Sequence, residues 1–170
     1  FKKCRERKIR SLRIRNNIYK DSQRITFNEK HLSVFEPLKE HLEELTLRCS
    51  WNCDFNFLHN LKKLSLTYSV FSNGKPVFNA AFNQLTHLDL ICSNLIISDK
   101  TMFNDLKCLK HLGLSHMQVD DNVMPDLFSE LKQLDTLTMN GTKFKPTENA
   151  FIYLTNLKEL HFIGINIPKE

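Results

Sequence analysis

Ten of the first 24 residues are lysine or arginine and only two are acidic, so this end carries +8 while the remainder carries −3. Guanidinium groups grip carboxylates and phosphates in a two-pronged fashion. A dense set of them therefore points first to an acidic partner. Nucleic acid is not expected, because Tyr19 alone interleaves an aromatic ring for stacking on bases. The plainer reading is a solvated terminal face.

Cys49, Cys92, His87, His111 and His116 are the side chains that could ligate zinc. No C-x-x-C or H-x-x-x-H pair brings them together, so no metal is expected. Asp120-Asp121-Asn122 lacks the glycine and alternating ligands of a calcium loop. Five cysteines are an odd number and do not suggest a complete disulfide framework. Cys49–Cys53 remains an open pairing. Asn140-Gly141-Thr142 is the one acceptor triplet for an N-linked glycan. The four glycines, Gly74, Gly113, Gly141 and Gly164, form no phosphate-cradling loop. No nucleophile elbow or H-E-x-x-H is present, so the expectation is a non-enzyme with no cofactor.

These groups hang on a repeated frame. Leu85-x-x-Leu88-x-Leu90-x-x-Ser93-x-Leu95 recurs as Leu61, Leu64, Leu66, Ser69 and Phe71. Further copies start at 9, 42, 109, 134 and 157, making seven, with steps of 33, 19, 24, 24, 25 and 23 residues. The alternating leucines have the period of a strand, with Leu88 and Leu90 inward and Asp89 and Ile91 outward. Seven stacked strands make a parallel sheet roughly 30 Å across. Four copies also carry F-x-x-L-x-x-L, as in Phe103, Leu106 and Leu109, a spacing of three that suits short helical or turn structure. Phe78 and Phe82 before Leu85, and Phe35 and Leu38 before Leu42, slip by a residue. The long first copy predicts a loop or extra strand around Arg24–Phe27. In the short copy from Leu42, Trp51 or Cys53 is expected to fill the place of Asn52.

This pattern resembles the leucine-rich repeat family, and the Phe-bearing return segment is similar to the type in extracellular members, Toll-like receptor ectodomains among them. The resemblance implies an α/β solenoid. It is an arc of about seven repeats, with a parallel sheet on the concave face and short helical or irregular segments on the convex face. Residues 1–170 read as a single array, expected to be part of a longer protein. The family places Asn after the strand; here Asn17 alone fits, Ser50, Ser69, Ser93 and Thr142 offer one hydroxyl each, and Met117 and Ile165 offer none. Looser turns are expected at those last two.

The outward strand positions form three columns, and the candidate binding residues on them are Arg13, Arg15, Arg48, Thr67, Tyr68, Asp89, Ile91, Ser115 and His116. Arginine and aromatic anchors among small residues suit a protein hot spot; ordinary solvated strand residues are the alternative. The resemblance implies recognition of a protein ligand or co-receptor by an extracellular receptor or a secreted immune or adhesion protein, at the cell surface or beyond it. An intracellular scaffold, such as the substrate-reading repeats of a ubiquitin-ligase adaptor in the cytoplasm, and a structural spacer are the rivals. No run of about 18 apolar residues could span a membrane.

Overall fold

The computed structural model describes residues 8–15, 26–48, 50–52, 55–67, 78–91, 95–124, 126–145 and 147–164. Its strands, in chain order, are β1 Ser11–Arg15, β2 Thr26–Asn28, β3 Glu44–Arg48, β4 Ser50–Asn52, β5 Lys63–Thr67, β6 His87–Ile91, β7 Ile96–Ile97, β8 His111–Ser115, β9 Gln118–Val119, β10 Thr136–Thr138 and β11 Glu159–His161. Seven of them form one parallel sheet ordered β1-β3-β5-β6-β8-β10-β11, one strand per repeat.

The leucine spacing sets the register. Leu12, Leu45, Leu64, Leu88, Leu112, Leu137 and Leu160 pair in one unbroken row across all seven strands. Ile14, Leu47, Leu66, Leu90 and Leu114 form a second row. From Leu45 to Leu137 the first row is buried. Each such side chain contributes about 1.5–3 kcal/mol by leaving water.

The return segments close by backbone bonds three residues apart. Leu106 donates to the Phe103 carbonyl and Leu109 to that of Leu106, both at 3.0 Å. The same pair of bonds recurs at Phe55, Phe128 and Phe151. Among the described residues this layer is turn and short 3₁₀ helix, including Glu29–Val34 and Ala80–Phe82, with no α-helix. Spacing of three brings each Phe and both leucines to one side of such a turn. Rings stack between layers, Phe128 on Phe151 at 6.2 Å and Phe78 on Phe103 at 6.2 Å. The slipped copies are absorbed locally. Phe82 takes a leucine place by donating to Asn79 and accepting from Leu85. Leu42 reaches Leu38 by a bond four residues long.

Two smaller parallel pairs lie after the main strands. β2 pairs with β4, Phe27 opposite Trp51, which places an extra strand where the long first copy predicts one. β7 pairs with β9, and Gln118 bridges on to Lys143. Cys53, the other residue proposed for the gap at Asn52, lies outside the described residues.

The turn at Met117 is not loose. Lys143 donates to the Met117 carbonyl at 2.8 Å, Gln118 donates to Leu95 at 3.1 Å, and the Met117 side chain is buried. A flexible thioether fills the core where a polar side chain would have tied the backbone. Ile165 lies outside the described residues.

Candidate functional site

The sheet face opposite the leucine rows is open. Its columns run in register: Arg13, Thr46, Ser65, Asp89, Gly113, Thr138 and His161 form one. A neighbouring column holds Arg15 opposite Arg48, and Thr67 opposite Ile91 opposite Ser115. Thr67 is only 6% exposed, so it supplies floor rather than a reaching side chain. Tyr68 lies outside the described residues.

Arg13, Arg15 and Arg48 are exposed, and among the described residues none of them makes an ion pair. Arg15 and Arg48 are register partners on strands about 4.8 Å apart. Like charges directly opposite each other destabilise a sheet. The nearby acids are already engaged: Glu43 holds Arg10 and Lys62, and Glu44 holds Lys63 at 2.9 Å. The bond from Lys63 is the main reason the Glu44 carboxyl sits below its ordinary range, with Ser11 and Arg13 adding to it.

A further column lies two residues before that of Arg13 on each strand: Ser11, Glu44, Lys63, His87, His111, Thr136 and Glu159. The imidazoles of His87 and His111 stack, centroids 5.7 Å apart and planes 29° apart. Each ring has one side-chain partner. The Thr86 hydroxyl lies 3.0 Å from the Lys62 carbonyl, which also accepts from the Thr86 and His87 N–H groups, and 2.9 Å from His87 Nδ1. His111 Nε2 donates to Asp89 Oδ1 at 3.2 Å. Asp89 in turn lies over the bare Cα of Gly113, where any Cβ would collide with its carboxylate. Burial first, then His111 and Lys63, hold His87 below the ordinary imidazole range.

Hydroxyl, imidazole and carboxylate together invite a hydrolytic reading, but they are not linked through one ring. A triad needs the carboxylate on the same imidazole as the hydroxyl, whereas Thr86 meets His87 and Asp89 bonds His111. Among the described residues no three His, Cys, Asp or Glu gather as a metal site. No helix of the described residues is long and apolar enough to cross a membrane.

The strand ends share a left-handed turn. His116, Gly141 and Gly164 occupy the same repeat position with φ of 56°, 63° and 69°. A Cβ on Gly141 would meet His116 Nδ1 at 2.6 Å, so glycine here serves both the backbone and the ring above it. His116, Gly141 and Lys143 line a hollow of about 440 Å³ beside Leu95 and Met117. The proposed acceptor Asn140 has its Oδ1 buried with no partner among the described residues. Thr142 is fully buried, and its hydroxyl donates to the Leu114 carbonyl of the preceding repeat at 2.7 Å. It therefore takes over the layer-to-layer bond that the missing Asn would make. Thr142→Val keeps the shape and orphans that carbonyl. A loss of about 1–3 kcal/mol in urea unfolding is expected.

The column of Glu44, Lys63, His87 and His111 is absent from the binding residues read off the sequence. Its signal was the residue just before the second leucine of each copy, which alternation also turns outward. Of the cysteines, Cys108 is exposed and unpaired, while Cys4, Cys49, Cys53 and Cys92 lie outside the described residues.

No protein-family model and no curated protein matches the sequence. Solved structures do. An internalin (inlF) from Listeria monocytogenes is 21% identical with a TM-score of 0.56, over 95% of this chain and 43% of that one. An internalin C2 from the same organism is 22% identical with a TM-score of 0.53, over 78% of this chain and 57% of that one. The chain thus spans about half the length of these neighbours. With one parallel strand per repeat, a return layer of 3₁₀ turns and this likeness, the chain has the fold of a leucine-rich repeat solenoid, its seven-stranded sheet lining the inner side of the arc.

Proposed function

We propose that this chain is a non-enzymatic protein-recognition module whose concave sheet takes up an acidic segment of a partner protein. One observation carries the reading: Arg15 and Arg48 stand opposite each other, exposed and without counter-charge among the described residues, with Arg13 close by. Two adjacent guanidiniums strain the sheet when it is empty and become favourable when carboxylates bridge them. Thr46 and Ser65 carry short side chains beside them, so an extended chain can lie across these strands.

The setting we propose is outside the cell or at its surface, in a receptor or a secreted immune or adhesion protein, on the strength of the Phe-bearing return segments. The exposed thiol of Cys108 favours the rival reading of an intracellular scaffold. Titration of the thiols in native material separates the two, five free thiols speaking for the cytosol. The array of residues 1–170 is proposed as one binding unit within a longer protein, and Asn140 as a glycan acceptor in the extracellular case.

Photo-crosslinking tests the site. With p-benzoylphenylalanine at Ser65 on the concave face, a fluorescent Asp-rich peptide should be captured under illumination. With the same label at the exposed Lys107 of the return layer, it should not. Equal capture from both positions contradicts the concave site.

A further inference from the structure

Building on the concave-face reading, we propose that the stacked His87 and His111 form a second carboxylate-binding site on that face, one that fills together with protons from solvent. The partners of the two rings give the reason. With His111 Nε2–H given to Asp89, the neutral ring leaves Nδ1 as a bare acceptor, while His87, held at Nδ1 by the Thr86 hydroxyl, leaves Nε2 beside it. Neither of those nitrogens has a hydrogen-bond partner among the described residues. A carboxylate offers only lone pairs, so it finds no donor at His111 Nδ1 while that ring is neutral. Protonation turns both nitrogens into charged donors.

The charge of the patch reverses at the same time. On β3 the facing groups are Glu44 and Thr46, on β5 Lys63 and Ser65, on β6 His87 and Asp89, on β8 His111, Gly113 and Ser115, and on β10 Thr136 and Thr138. Glu159 and His161 of β11 bond to each other one strand further on. At the lower edge Lys62 pairs with Glu43 and Lys158 with Asp135, while Lys110 is exposed. Lys63 against Glu44 and Asp89 leaves the core of the patch at −1 when both rings are neutral, and at +1 when both are charged. Carboxylates are thus disfavoured over this patch while the rings are neutral and favoured once they are charged, whereas the Arg15–Arg48 site holds them at either pH. Burial, His111 and Lys63 resist the charging of His87 in the empty protein, whereas a bound carboxylate opposes that resistance. Binding therefore consumes protons, and affinity rises as pH falls through the imidazole range.

The probe is a fluorescein-labelled peptide alternating Asp and Ala, whose carboxylates stay ionised at about pH 5.5. Anisotropy titrations near pH 7.5 and pH 5.5 should show about tenfold tighter binding at the lower pH. His87→Gln/His111→Gln should bind as the parent does at the higher pH and lose the gain at the lower. Asp89→Asn, which removes the competing carboxylate but keeps an acceptor for His111, should bind about threefold tighter at the higher pH. Circular dichroism confirms that each variant is folded. A gain that survives in the double histidine variant overturns the inference, and so does an Asp89→Asn variant that binds no tighter. The arginine reading fails separately, if Arg15→Glu/Arg48→Glu leaves binding near pH 7.5 unchanged. A peptide that binds at neither pH overturns both.

Discussion

Leu112→Ala should lower stability by about 2–5 kcal/mol, read as a shift of the urea midpoint with an unchanged slope. Leu112 is fully buried, and it sits between Leu88 and Leu137 in the leucine row, with occupied layers on both sides. The neighbouring strands are bonded along their length and cannot collapse into the hole, so the cavity persists. In a stacked array each layer contacts only its neighbours, and a central defect weakens two interfaces at once. Leu160→Ala is the internal comparison. Leu160 lies in the same row but is 40% exposed, so its truncation should cost about 1 kcal/mol or less. Equal effects at the two positions would mean that the row is not packed as described.

The second large effect is on binding. Arg15→Glu/Arg48→Glu should weaken capture of the Asp-rich peptide by about 100-fold at about 0.1 M salt. Each charged hydrogen bond contributes about 1.5–3 kcal/mol, and reversal adds repulsion where attraction stood. The fold itself should not suffer, because neither arginine holds an ion pair among the described residues. Exchanging a cation pair for an anion pair leaves their mutual repulsion much as it was.

The frame was legible because one physical constraint repeats. Inward leucines at alternate positions cannot be anything but strand faces, and the same spacing seven times fixes the register. The return layer was legible for the same reason, since F-x-x-L-x-x-L aligns apolar groups in short helical or turn structure and not in a strand. The concave columns led by Arg13 and Arg15 followed directly. The column of Lys63, His87 and His111 did not, because L-x-x-L does not show whether the residue before the second leucine belongs to a turn or to the strand. The pairing of Ile96–Ile97 with Gln118–Val119 was hidden too, as two residues are too few to show alternation. The left-handed backbone at His116 had an indirect signal, the glycines at the equivalent positions 141 and 164. Met117 misled in the other direction. Loss of the polar side chain there reads as a loose turn, but backbone bonds to Leu95 of the preceding layer and to Lys143 close it.

The most direct test sets two charge reversals of equal size against each other. Arg15→Glu/Arg48→Glu alters the concave face, and Lys107→Glu/Lys145→Glu alters exposed residues outside the sheet by the same net charge. The concave pair should abolish most of the affinity for the Asp-rich peptide, while the outer pair should change it by about twofold at most. Equal losses from the two would show that the peptide responds only to overall charge, and the concave arginines would then have no special part in recognition.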